Sequence, residues 1–361
     1  MAPRPAGLEL RRMPDAAPRW PASIADEIQL EDLLSTPTAA AIDAMRELEG
    51  DLVVLGVAGK MGPTLARMAR RASDAAGVTR RVIGVSRFTE AAHEAALNAH
   101  GVETIRCDLL DEAAVARLPD APLVVYMAGR KFGSTGLESL TWAMNAWLPA
   151  VVCRRYAGSR IAAFSTGNVY GLTRVGGGGS REGDAVSPVG EYAMSCLARE
   201  RMFEHFSRTN GTPVSILRLN YATEMRYGLL VDLAGKVASG TPIELAMGHA
   251  NVIWQGDANS MSLVALRRAS SPPYVVNIAG REELSVRDVC LALGARLGRE
   301  VRFTGTEADD ALLSNGSRGW SDLGPPLVEL TQLIDWTADW VRRGGGSLGK
   351  PTHFESRDGR F

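Results

Sequence analysis

The chain has 361 residues, of which 45% are apolar and 22% charged, and a formal net charge of −1. These proportions belong to an ordinary globular protein, long enough for one large domain or two packed ones. So balanced a charge excludes a global field that would draw the chain to nucleic acid or anionic lipid. No apolar run reaches the roughly 18 residues of a membrane-spanning helix, and the Arg/Pro-rich start lacks the apolar core of a secretory signal. Four scattered cysteines (Cys107, Cys153, Cys196, Cys290) argue against a disulfide framework or a metal centre and for a reducing, cytoplasmic setting. Only four of the 40 basic residues are lysines, Lys60, Lys131, Lys236 and Lys350, so each one stands out.

Residues 1 to about 21 read as irregular, and 22–49 as one or two helices broken at Pro37. From Asp51 the pattern changes to short apolar runs that alternate with helical stretches. The runs are 52–56, 81–86, 102–107, 123–127, 160–165 and 213–218; the helices are 63–75, 89–99, 140–156 and 192–208. Continuous apolar strands separated by helices imply a parallel sheet buried on both faces. The segments 172–190 and 222–250 break this alternation, and the Gly-rich stretch from Gly344 onward reads as an extended tail.

Gly56-Val-Ala-Gly59-Lys60-Met61-Gly62 joins the first strand to the first helix of the series. There the first glycine permits a tight turn, the second a close backbone approach to a pyrophosphate, and the third close helix–strand packing. The helix N-terminus adds unpaired N–H groups that favour phosphate. At the end of the second strand, where an acidic residue would bind the ribose 2′-hydroxyl of NAD, the chain has Ser86-Arg87. A guanidinium suits a 2′-phosphate, and Lys60 adds a second charge. The expected cofactor is therefore NADP(H), with NAD(H) as second choice.

Thr166, within Ser165-Thr-Gly-Asn-Val-Tyr-Gly171, lies 26 positions before Tyr192. This hydroxyl–phenol pair, on a strand end and a following helix, resembles that of extended short-chain dehydrogenases/reductases, the NAD(P)-dependent epimerase/dehydratase branch. The resemblance covers about residues 50–340. It implies that Tyr192 exchanges a proton with a substrate oxygen, that Thr166 polarises that oxygen, and that a nicotinamide carries hydride. It also implies roles beside the cofactor for Asp108 and Leu109 (adenine) and for Ala128 and Gly129, with Asn145 supporting the site. The family places a lysine four residues after the tyrosine; here that residue is Cys196. A free phenol ionises near pH 10, too high for efficient base work at neutral pH, so a cation is expected nearby. Lys131, after the fourth strand, is the first candidate and Arg130 the second. The alternatives are a tyrosine that acts mainly as proton donor, or a non-catalytic NADP-binding regulatory protein of the same fold.

On the substrate side, Asn168, Asn220 and Arg226 are the expected contacts, with Glu182 and Asp184 as weaker candidates. Asp257 resembles the family's carboxylate that ties the substrate lobe to the core. The arginine that grips the diphosphate of nucleotide sugars would fall at Ala250, which favours a smaller sugar, sugar acid or polyol. The expected architecture is α/β: a Rossmann-type doubly wound parallel sheet with a smaller C-terminal α/β substrate lobe and a helical N-terminal extension. Its expected division is 1–49 for the extension, 50–221 for the dinucleotide-binding domain with 252–278 returning to it, 222–251 and 279–343 for the substrate lobe, and 344–361 for the tail. The expected partner is a small molecule, with neither nucleic acid nor membrane, and the resemblance suggests a homodimer through the 140–156 and 192–208 helices.

Overall fold

The computed structural model describes residues 20–131 and 136–359. Most of the irregular segment expected up to about residue 21 lies outside them. Seven parallel strands form the main sheet: β1 (Leu52–Leu55), β2 (Val82–Ser86), β3 (Glu103–Arg106), β4 (Leu123–Tyr126), β5 (Arg160–Thr166), β6 (Val214–Leu219) and β7 (Tyr274–Ile278). Their order across the sheet is β7-β6-β5-β4-β1-β2-β3. The chain reverses direction between β1 and β4, so a crevice opens at the C-terminal ends of those strands, where α/β sheets bind ligands.

The core explains the apolar runs. Every residue of β1 and β4 is buried, because helices cover both faces of the sheet. One apolar cluster packs on one face (Leu65, Met68, Val264), another on the opposite face (Val152, Tyr156, Phe203). β7 completes the sheet: its backbone pairs with β6 from Tyr274↔Ser215 to Ile278↔Leu219.

Five helices position the site and brace it from the N-terminal side: α1 (Glu27–Leu34), α2 (Ala39–Glu47), α3 (Gly62–Ala75), α4 (Gly190–Asn210) and α5 (Gln255–Arg268). Asp26 and Thr38 cap α1 and α2 by accepting from backbone N–H groups. The break at Pro37 falls between them. The expected single helix over 140–156 is instead Glu138–Trp142, a π-helical stretch Ala143–Trp147 and Leu148–Arg155; such an inserted turn has no periodic signature in the sequence.

A third apolar cluster lies outside the sheet. It joins Leu230 and Leu233 of the helix Leu229–Ser239 to Val289 and Trp336, and it takes in Leu30 and Leu34 of α1 and Phe354 of the tail. The described residues of the tail form no regular strand or helix, yet Thr352 and Phe354 are buried. Asp232 holds it by accepting from the Thr352 N–H at 2.7 Å and hydroxyl at 2.5 Å. No helix among the described residues is long and apolar enough to cross a membrane.

Candidate active site

The loop between β1 and α3 has the close approaches that require glycine. Gly56 has φ +88°, and a Cβ there would lie 2.7 Å from the Ala128 nitrogen; one on Gly62 would lie 2.1 Å from the Val57 carbonyl oxygen. α3 thus begins directly behind the loop, its first turn carrying Pro63. Two cavities open from this point, of about 380 and 310 Å³, and share Gly56, Gly59, Gly129 and Lys350. The smaller is lined by Ser86, Arg87, Asp108, Leu109 and Ala128. The larger is lined by Lys60, Met61, Gly62, Lys131, Thr166, Asn168, Tyr192 and Asn220. An elongated cleft over a glycine cradle and a helix N-terminus fits a dinucleotide, with the adenosine-side candidates in one half and the hydroxyl pair in the other.

In the larger half, Thr166 ends β5 and Tyr192 stands in the first turn of α4. The Tyr192 phenol shares this wall with Thr166, and the Thr166 and Cys196 side chains both act on it. Thr166 also donates to Asn168 Oδ1 at 2.9 Å, and Asn168 N–H donates back to the Thr166 hydroxyl at 3.2 Å. Gly167 leaves room for Asn220, whose Oδ1 would meet a Cβ there at 2.9 Å; the Asn220 amide donates to Asn251 at 2.6 Å. Burial pushes the Tyr192 phenol well above its ordinary range; Cys196 adds to that push, while Arg199 and Thr166 oppose it. Burial likewise raises the Cys196 thiol, so no thiolate sits beside the phenol at neutral pH.

Arg199 is a residue that the sequence reading misses. It lies seven residues after Tyr192 and three after Cys196, on the same face of α4. Its guanidinium is buried at the cavity wall; it donates to the Phe164 carbonyl at 2.8 Å and to Asn145 Oδ1 at 2.6 Å. A Cβ on Gly129 would come within 2.3 Å of Arg199 Nη2, so the small-residue loop after β4 is what admits this cation. Asn145, on the π-helical stretch, also accepts from the Arg130 N–H at 2.8 Å and donates to the Arg130 carbonyl and the Ser195 hydroxyl, both at 2.9 Å. Lys131 Nζ sits 5.7 Å from the centre of the Tyr192 ring. Burial pulls its ammonium down to about 8.

Three of the expected substrate groups are elsewhere. Arg226 is turned to α1, where Glu27 and Glu31 join Glu224 in pairing with it; the N-terminal extension claims it. Glu182 accepts from the Asn277 N–H at 2.8 Å and Asp184 from the Arg181 N–H at 2.7 Å, so both hold loops. Asp257, at the start of α5, accepts from the N–H groups of Leu327 and Val328 at 3.0 and 3.1 Å and so ties that segment to the core. Ala250 is buried in a two-strand ladder opposite Leu284. Among the described residues, no group of three or more His, Cys, Asp or Glu side chains is arranged to hold a metal ion.

The model of the NAD dependent epimerase/dehydratase family matches residues 52–226, the segment that carries the glycine loop, Thr166 and Tyr192. Over that segment the chain is similar to that family. It is an NAD(P)-dependent enzyme of the epimerase/dehydratase type. No curated protein matches it. Among solved structures it resembles UDP-glucuronic acid 4-epimerase from Bacillus cereus, in complex with UDP-glucuronic acid and NAD, at 17% identity and TM-score 0.66, over 81% of this chain and 99% of that one. It also resembles the dTDP-glucose 4,6-dehydratase DesIV from Streptomyces venezuelae, solved with NAD, at 21% identity and TM-score 0.69, over 81% and 97% of the two chains. The dTDP-glucose 4,6-dehydratase from Bacillus anthracis, in complex with NAD, aligns at 16% identity and TM-score 0.68, over 82% and 97%. At these identities the likeness establishes the shared fold.

Proposed function

We propose that the enzyme oxidises, reduces or epimerises a hydroxyl- or carbonyl-bearing carbon of a carbohydrate-like small molecule, with Tyr192 as proton donor and acceptor. The observation that carries this reading is the convergence of Thr166 and Tyr192 at the wall of a cavity continuous with the glycine cradle. Thr166 and Tyr192 hold the reacting oxygen between two hydroxyls. Asn168 orients Thr166, and Asn220 lines the same wall. Bound in the cleft, a nicotinamide would exchange hydride with the carbon that bears this oxygen. Because the Tyr192 phenol is raised, it holds its proton at neutral pH, which suits donation to a developing alkoxide better than abstraction.

Arg199 supplies the fixed positive charge that the Cys196 position lacks. A guanidinium stays charged at every working pH, whereas Lys131 loses its charge near pH 8. Lys131 is then a second, titratable cation, over the Tyr192 ring. A charge supplied from one turn further along α4 removes the main argument for a non-catalytic protein. Ser86, Arg87, Asp108 and Leu109 support an adenosine half that takes NADP(H) in preference to NAD(H).

The test is a panel of free sugars, sugar acids and polyols with either oxidised cofactor, monitored for reduced nicotinamide. Tyr192→Phe should abolish turnover and leave cofactor binding intact; unchanged turnover sinks the assignment. Arg199→Met should lower turnover far more than Lys131→Met. Fluorescence titration should show tighter NADPH than NADH binding, and the reverse order refutes the cofactor preference. Leu140, Trp147 and Met194 are large exposed apolar residues on the two helical segments beside the site; they support a homodimer, to be read by light scattering. Four free, buried cysteines suit a cytoplasmic setting.

A further inference from the structure

The larger cavity concentrates charge of one sign. Its wall includes Lys60, Arg130, Lys131, Arg199 and Lys350 and, among the described residues, no Asp or Glu. Three of the chain's four lysines are among them, drawn from the glycine loop, the loop after β4 and the tail. Elsewhere the chain uses arginine almost exclusively. Lys60 Nζ lies 3.3 Å from the centre of the Tyr227 ring and Lys131 Nζ 5.7 Å from that of Tyr192, so two of the ammonium groups stand over aromatic rings of the same cavity. Thr352, two residues beyond Lys350, is anchored to Asp232 and so holds the tail beside the third.

We propose that the substrate carries its own anionic group, a carboxylate or a phosphate ester, seated by Lys60, Lys131 and Lys350. The inference rests on the oxidoreductase reading of the same cavity. Compact ammonium groups on flexible stems suit anionic oxygens that must enter and leave, and they bind phosphate as point charges. The dinucleotide's diphosphate is the other source of such oxygens. It already has the glycine loop and the N-terminus of α3, and the larger half of the cleft, beside Tyr192, holds charge beyond that need.

The charges also act on one another. Burial first, then Lys131 and Lys350, pull Lys60 down to about 7, against a smaller upward pull from Asp232. An anion bridging the three would reverse the repulsion and draw a proton onto Lys60. Binding should therefore weaken as pH rises above about 7.

Lysine labelling with trinitrobenzenesulfonate at pH 7.5, read residue by residue by mass spectrometry, tests this in three arms: glucuronate or glucose 6-phosphate alone, NADP⁺ alone, and both together. Lys236, paired with Glu355 outside the cavity, is the internal control. Expected is slower labelling of Lys60, Lys131 and Lys350 with either anionic sugar, undiminished when NADP⁺ is saturating, and no effect of glucose. Lys60→Met and Lys350→Met should each weaken calorimetrically measured anion binding about tenfold, and Lys236→Met should not. Protection by NADP⁺ that leaves nothing for the anion to add assigns the lysines to the dinucleotide and overturns the proposal. So does equal protection by glucose, or none by any anion. If NADP⁺ fails to bind, the oxidoreductase reading falls, while the anion-only arm still decides this one.

Discussion

Glu200 is the residue whose removal should cost the fold most for its size. It lies on α4, two turns beyond Tyr192, and is buried against the sheet. Its carboxylate accepts from Arg218 of β6 at 3.0 Å (Nε) and 2.7 Å (Nη2), and from the Ser165 hydroxyl, next to Thr166, at 2.5 Å. Arg218 in turn donates to the Tyr170 hydroxyl at 2.7 Å, and Tyr170 donates to Asn277 at 2.9 Å. One ion pair therefore registers the tyrosine-bearing helix against the strand end that carries Thr166. Glu200→Ala leaves a buried guanidinium without a countercharge, a loss of about 3–5 kcal/mol. For a chain of this size that lowers the melting temperature by about 10 °C. Urea denaturation with an unchanged m-value would measure it. Replacing both partners, as Glu200→Leu with Arg218→Met, should recover most of the loss, because an apolar pair of similar volume needs no countercharge. A single variant within about 1 kcal/mol of the parent, or a double variant no better than the single, refutes the reasoning.

Asp257 makes the protein sensitive to pH. Burial raises its carboxyl from the ordinary 3.8 to about 6, so the folded chain keeps a proton that the unfolded chain releases between those values. Stability from this group therefore falls as pH rises from about 4 to 6, by about 3 kcal/mol at 1.36 kcal/mol per unit. Asp257→Asn should flatten the denaturation profile over that window; an unchanged slope counts against it. Gly62→Ala drives a methyl into the Val57 carbonyl and should abolish dinucleotide binding in a fluorescence titration; binding within twofold of the parent would contradict the cradle. Gly129→Ala meets Arg199 at 2.3 Å. It should reduce turnover at least tenfold, about 1.4 kcal/mol of barrier, while the melting temperature moves little; the opposite pattern would make Arg199 a purely structural residue.

The features legible in the sequence are those the chain encodes locally. The glycine loop needs only its own spacing between an apolar run and a helix. Thr166 and Tyr192 are legible because a strand end and a helix start are recognisable on either side of one loop. Arg226 is misplaced because the carboxylates that hold it, Glu27 and Glu31, lie almost 200 residues away on a helix whose packing has no local signal. Arg199 is within reach: Tyr192, Cys196 and Arg199 sit at i, i+4 and i+7, one stripe of a single helix. The family pattern draws attention to position 196 alone and away from the next residue down that stripe. Lys350 has no positional signal, since its approach depends on a tail anchored by Thr352 and Phe354. Its one trace is composition. In a chain whose ion pairs are made almost entirely by arginine, a lysine is a marked choice of a compact, flexible charge over a planar, permanently charged fork. The three lysines that converge on the cavity are such choices, while the fourth, Lys236, pairs with Glu355 of the same tail. The substitution at Cys196 and the lysine cluster are then two sides of one arrangement. Arg199, permanently charged, stands one turn beyond Cys196 on α4, and the compact, titratable Lys60, Lys131 and Lys350 line the same cavity.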